Sequence, residues 1–161
     1  MLFFCHLLSG LFAGMLLYYL FRDKRVIVFA AVGSVLPDLV DKPLGYIILG
    51  ETIGSGRIFF HGFWLMLIFM VLGVIVLIRL KNPLVLSLSI GVLVHQLEDS
   101  MWKSPVNWFW PLLGPYSYSR SPSDYFLQML LKELTTPEEI FCGILVFFGL
   151  VVYYLSKKDL I

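Results

Sequence analysis

Charge is what this chain of 161 residues has least of: Asp, Glu, Lys and Arg together make up 14% of it, against about 25% in a soluble globular domain. Cysteine is scarce too, with two residues, which excludes a disulfide framework. There is no low-complexity tract, so collagen-like and disordered classes fall away. A net charge of +1 provides no basic surface for nucleic acid. What fills the chain instead is apolar. Hydrophobic residues reach 59% and the mean hydropathy is +0.87, beyond the composition of a soluble fold. The sequence therefore describes an all-α, polytopic helical membrane protein forming one domain over residues 1–161.

About 20 apolar residues cross a hydrocarbon core. Leu2 to Phe21 qualifies, broken only by His6. The basic cluster Arg22, Lys24 and Arg25 follows it and no basic stretch precedes it, the order of a span with its N-terminus outside rather than of a cleaved leader. Val26 to Leu36 is half a span, interrupted by Pro37 and Asp38, so a broken second helix is expected over 26–50. Segments at 58–80, 84–99 and 138–156 bring the expectation to five passages. Seven basic residues (Arg22, Lys24, Arg25, Arg79, Lys81, Lys157, Lys158) then mark the inner ends. Nine of the eleven acidic residues and all three histidines fall toward the outer face. The positive-inside rule thus predicts N-out, C-in in a plasma (inner) membrane.

The outer segment 100–137 is long for a loop and holds Trp102, Trp108, Trp110, Tyr116, Tyr118 and Tyr125, residue types of the membrane interface. Within it, Ser123 is placed to cap a helix whose Phe126, Leu127, Leu130, Leu131 and Leu134 share one stripe. That pattern predicts an amphipathic helix lying in the interface. Thr136-Pro137-Glu138-Glu139 reads as a capping box that opens the last span. Gly10 and Gly14 form a GxxxG for close helix packing. Cys5 and Cys142 begin their spans on the same side, which leaves pairing open, but they read first as two lipid-buried thiols.

Four segments carry an ionisable group at membrane depth. Counted from the inner ends at about 1.5 Å per residue, His6 lies about 22 Å up, Asp38 about 18 Å, His61 about 25 Å, and His95 and Asp99 about 16–22 Å. These five groups share one layer. His95 and Asp99 are four apart and stack on one helix face, while Asp38 and Asp41 are three apart. Imidazole with carboxylate suits zinc or a similar divalent ion. Such an ion would also relieve the cost of gathering carboxylates in a low dielectric. Each residue alone has a plainer role: hydrogen bonding between helices for His6, the entry of a span for His61, turn and cap for Asp38 and Asp41, a cap as much as a ligand for Glu139. Glu98, three residues from His95, is left open between a place in the set and a side chain that points away. The set argues for function, because ionisable groups in membranes are costly.

The runs PDLVDKP (Pro37 to Pro43), GRIFFHG (Gly56 to Gly62) and HQLEDSMWKSPVNWFWPLLGP (His95 to Pro115), behind an early histidine, resemble the small membrane-bound metal-dependent hydrolases. That family is related to the LexA-regulated inner-membrane hydrolases and is likened to zinc-dependent phospholipase C. The resemblance spans roughly the first three quarters of the chain and lies in the ordered set H…PDxxD…RxxxH…HxxxD…WP. It implies metal ligation by His6, Asp38, Asp41, His61, His95 and Asp99. The chain departs from the pattern at Gly62, where a hydroxyl residue is common, at Gly56, where many members have a histidine, and at Glu98, which stands in place of an apolar residue.

The expected function is hydrolysis of a phosphoester in a lipid or amphiphilic substrate at the outer leaflet, with one or two divalent ions, zinc foremost. Asp41 is the expected sixth ligand or general base, Arg57 a phosphate contact, and Glu139 a third candidate for a catalytic role. Lys103 and Arg120 are candidate head-group contacts, or solvated loop charges. The competing expectation is a metal or proton transporter using the same cluster, and after it a membrane scaffold pinned by polar contacts.

Overall fold

The computed structural model describes residues 3–116 and 125–158. Tyr118, Arg120, Ser123 and Asp159 lie outside the described residues, as do the side chains of Lys157 and Lys158. The regular elements among the described residues are all helical, with no strand. In order they form α1 (Phe3–Phe21), α2 (Arg25–Pro43), a π-helical turn (Leu44–Ile48), α3 (Phe63–Leu80), α4 (Leu84–Glu98), a 3₁₀ turn (Met101–Lys103), α5 (Pro105–Trp108), α6 (Tyr125–Leu134) and α7 (Pro137–Lys158). By length and composition α1 and α3 can each cross a membrane. A third span arises if α6 and α7, bent by 64° at their junction, count as one.

Helix α2 is central: it packs on α1 and on α4, α4 carries α3, and α1 carries α7. Small residues allow the close crossings. A Cβ at Gly14 would lie 2.6 Å from Ile27 Cα, and one at Gly91 would meet the Ala30 carbonyl and lie 2.8 Å from Ser34 N. The apolar cluster Leu17, Val26 and Ala30, flanked by Tyr18, Phe21 and Leu84, closes the end where α1 turns into α2. The other end is polar. Among the described residues eleven polar or charged side chains are buried against nine apolar ones. Large apolar residues such as Leu72, Ile75, Phe141 and Phe147 face outward. That inversion suits a lipid solvent, where apolar side chains gain nothing by being buried.

Four details differ from the sequence reading. Helix α2 runs unbroken through Pro37 and gives way only at the π-helical turn after Pro43. Pro37 lacks an N–H, but α1 and α4 enclose this stretch, and packed neighbours make an interior proline tolerable in a membrane helix. Second, α3 starts at Phe63, not at residue 58. The chain before it is held off the helical path because the Asp41 carboxylate accepts the backbone N–H groups of Ile58, Phe60 and His61. Third, α7 does open at Pro137, but no reciprocal capping box forms there. Glu139 instead accepts the N–H groups of Phe4 (2.6 Å) and Cys5 (3.2 Å). It thereby satisfies orphan donors of the first turn of α1. Fourth, Cys5 and Cys142 are joined by a disulfide with Cα atoms 5.1 Å apart. Glu139 docks α1 onto α7 one turn before Cys142, which sets the two sulfurs opposite each other.

The helix crossing at Gly91 is expected to be intolerant. Gly91→Leu should cost about 3 kcal/mol or more, because backbone rather than a flexible side chain blocks the new atoms. Gly149→Leu, where nothing lies within 4 Å of the new Cβ, should stay within about 0.5 kcal/mol. Thermal unfolding of both variants in detergent micelles checks the contrast.

Candidate metal centre

The polar end of the bundle is assembled from four places in the chain. Near its start α1 carries His6; the last turns of α2 carry Asp38, Asp41 and Lys42; the irregular stretch 49–62 carries Arg57 and His61; the end of α4 carries His95, Glu98 and Asp99. His6, Asp38, Asp41, His61 and His95 are all buried, and the Asp99 side chain is 4% exposed.

All three histidines are oriented the same way. Nδ1 of His6 faces Glu98 Oε2 at 2.5 Å, Nδ1 of His61 faces Asp41 Oδ2 at 2.7 Å, and Nδ1 of His95 faces the Ser34 carbonyl at 2.6 Å. Each of those partners accepts, so each Nδ1 donates outward and each ring turns its Nε2 inward. A carboxylate or carbonyl behind a histidine is the arrangement that orients a metal-ligating ring.

What the Nε2 atoms meet is another set of acceptors. His61 Nε2 and His95 Nε2 are 3.1 Å apart, and Asp38 Oδ1 lies 3.4 Å from the first and 3.6 Å from the second. Asp99 places Oδ2 3.6 Å from His61 Nε2 and Oδ1 3.5 Å from His6 Nε2. One donor atom from each of His6, Asp38 and His95 lies within 4.8 Å of the others, and the same holds for His61, His95 and Asp99. Ligands about 2.0–2.1 Å from a tetrahedral zinc are about 3.3 Å from one another, so the observed spacings fit a cation among these atoms. His6 Nε2 and Asp38 Oδ1 are buried without a hydrogen-bond partner, which a cation would supply; beside Asp38 Oδ2 stands the Lys42 ammonium. Charge points the same way. Five carboxylates (Asp38, Asp41, Glu98, Asp99, Glu133) face two cationic side chains, Lys42 and Arg57.

The structure thus brings together His6, Asp38, His61, His95 and Asp99, the five groups expected to share one layer. Asp41 stands behind His61. With three backbone N–H groups and the His61 ring on its oxygens, it positions that ring and the preceding loop rather than facing the other ligand atoms. Arg57 Nε donates to Asp99 Oδ2 at 3.0 Å while its side chain remains 36% exposed. Glu139, buried, is occupied with the amides of α1.

Three participants escaped the sequence reading. Glu98 does not point away: it reaches across to α1 and holds His6, a contact that spacing along α4 alone does not reveal. Lys42, four residues after Asp38, bridges Asp38 Oδ2 (3.2 Å) and Glu133 Oε2 (2.7 Å), and the i,i+4 spacing could have flagged it. Gln96 donates to the carbonyls of Phe60 and Gly62 and accepts from Trp108 Nε1, clamping the residues on both sides of His61. Outside this clamp the aromatic segment stacks Trp110 on Tyr116 and sets both beside Phe59.

Helices with apolar exteriors around a buried cluster of histidines and carboxylates define a class: helical integral membrane proteins with one polar centre. Within that class the chain belongs to the YdjM inner membrane protein family, whose model matches residues 1–159. It is accordingly an integral inner-membrane protein. No curated protein and no solved structure matches it.

The geometry separates candidate ligands from supports. Asp38→Asn should abolish stoichiometric divalent metal in the purified protein, whereas Asp41→Asn should leave a site weakened about 10–100-fold. Elemental analysis after dialysis against graded metal concentrations distinguishes them, and equal loss in both would contradict the assignment of Asp41 as a positioning residue.

Proposed function

We propose that the protein is a metal-dependent hydrolase that cleaves a phosphoester of a lipid or other amphiphilic substrate at the outer leaflet of the inner membrane. The observation that carries this reading is the inward orientation of three imidazole Nε2 atoms toward two carboxylates, with every Nδ1 tied back. Three His and two Asp donors would suit zinc, as one ion or two. When bound, such an ion acts as a Lewis acid and makes water a usable nucleophile near neutral pH. The chain's own residues do the rest. Glu98, Asp41 and the Ser34 carbonyl hold the three rings, and Gln96 fixes the loop that carries His61. Arg57, anchored at one nitrogen by Asp99, keeps guanidinium N–H groups for a phosphoryl oxygen.

In this reading the chain makes five passages, N-out and C-in. The seven basic residues near inner helix ends support that orientation, and it puts the centre toward the outer face. The sharp bend between α6 and α7, with the apolar stripe on α6, supports α6 lying in the outer interface. A reporter fused at the C-terminus should be cytoplasmic, and one inserted after Glu51 should be exported. Finding both on one side would overturn the topology.

Activity is tested with purified, metal-loaded protein on phospholipids and chromogenic phosphodiesters. Asp38→Asn and His95→Ala should lose metal and hydrolysis together. Arg57→Gln should keep metal but lower kcat/KM by roughly 10–100-fold, the worth of a hydrogen bond to a charged group. Metal-dependent ion flux into proteoliposomes, with no ester cleaved, would overturn the hydrolase reading in favour of transport.

A further inference from the structure

The Cys5–Cys142 bond stands at the edge of the centre, and the chemistry proposed above does not use it. Cys5 immediately precedes His6, and both belong to the first turn of α1. That turn is held from two directions. Toward the centre, His6 Nδ1 is tied to Glu98 of α4. Away from the centre the support comes from α7: Glu139 accepts the N–H groups of Phe4 and Cys5, the Phe4 ring borders Gly143, and the disulfide joins the two helices. The close crossing of α1 with α2, at Gly10 and Gly14, lies one and two turns further on. Helix α7 itself packs chiefly on α1, with Phe141, Ile144, Phe147 and Phe148 turned outward. The bond therefore fixes α7 on the start of α1 across 137 residues of sequence.

The first turn of a helix frays at low cost unless it is held, and its amides depend on outside acceptors. His6 thus keeps Nε2 in the centre only as well as α7 keeps its place. Both cysteines are half-buried and, with Ser9, Phe12 and Glu98, line an open groove of about 470 Å³, which gives a small dithiol a way to the sulfurs. We propose that the Cys5–Cys142 disulfide is a redox-sensitive positioning bond for His6, so that the centre holds a divalent cation more tightly with the bond closed than with it open. Linkage then requires a bound cation to make the bond harder to reduce by the same factor. In exchange with a dithiol, one thiolate of the reagent attacks a cysteine sulfur and the other cysteine leaves as a thiol. The reagent's second thiol then closes its own ring and releases the first cysteine. Two electrons and two protons pass to the protein, and the dithiol becomes a cyclic disulfide. The orientation proposed above puts the bond on the outer side, where disulfides persist. The proposal rests on the reading of the centre as a cation site and not on hydrolysis.

The test uses the full chain in phosphatidylcholine nanodiscs. Zn²⁺ affinity is read by equilibrium dialysis with elemental analysis for the oxidised protein and for Cys5→Ser/Cys142→Ser, neither of which has a free thiol to take the metal. Removing the bond should weaken binding about 10–100-fold, as loss of a support behind a ligand does. In a His6→Ala background the same removal should change affinity by less than about twofold. Equal loss with and without His6 would show that the bond acts on the whole bundle and would overturn the proposal, as would no loss at all. A second arm needs no substitution. The wild-type bond is titrated with reduced and oxidised dithiothreitol, with and without Mn²⁺, an ion that thiolates bind poorly, at a concentration where electron paramagnetic resonance shows the oxidised centre filled. Half-reduction should need a ratio of reduced to oxidised reagent about five- to tenfold higher with Mn²⁺ present, and an unchanged midpoint would overturn the proposal. Failure of the oxidised protein to take up either metal would remove the reading of the centre and this proposal together. Metal uptake that depends on the bond, in a protein that cleaves no phosphoester, would leave the proposal standing and remove the hydrolase reading alone.

Discussion

The Asp41 carboxylate is the contact on which the polar end depends. It is fully buried, in the last turn of α2, and it accepts the N–H groups of Ile58, Phe60 and His61 together with the His61 ring. Residues 49–62 have no regular helix to satisfy their backbone, and unpaired amides at membrane depth cost several kcal/mol each. Asp41 removes three such amides at once and in doing so determines where His61 sits. Gln96 does the same for the carbonyls on both sides of that residue. An irregular segment therefore presents its histidine as firmly as a helix would.

The same economy explains why the interior is polar. In lipid, apolar side chains do not drive helices together, and close packing with interhelical hydrogen bonds takes over. Gly14, Gly33 and Gly91 let α1, α2 and α4 approach closely. The contacts among the histidines and carboxylates then join α1, α2, α4 and the 49–62 segment. One set of side chains thus supplies both cohesion and the candidate chemistry.

Much of this was legible in the sequence, because membrane depth is a simple function of residue count. His6, Asp38, His61, His95 and Asp99 could be assigned to one layer by counting at a constant rise, and they meet. Contacts between helices distant in sequence were not legible. Glu98 was judged against His95 on its own helix, whereas its partner is on α1. Glu139 matched a local capping pattern, but the amides it serves belong to a helix more than 130 residues earlier. The pairing of Cys5 with Cys142 follows from that docking; their place on one side of the membrane left it open, but without Glu139's partner nothing favoured it over two free thiols. Pro37 misled for the opposite reason: proline breaks a helix in isolation, but neighbours on both sides hold this one together.

The docking of α1 onto α7 also imposes an order of assembly. During synthesis α1 emerges long before α7, and until Glu139 exists the first turn of α1 lacks both its acceptor and its covalent tether. His6 is the very next residue after Cys5. The chain therefore closes into a ring at the edge of the centre, and the earliest-made histidine is secured by the last-made helix. A chain without α7 would still carry every residue of the polar centre, but the first turn of α1, next to His6, would lack the contact and the tether that fix it.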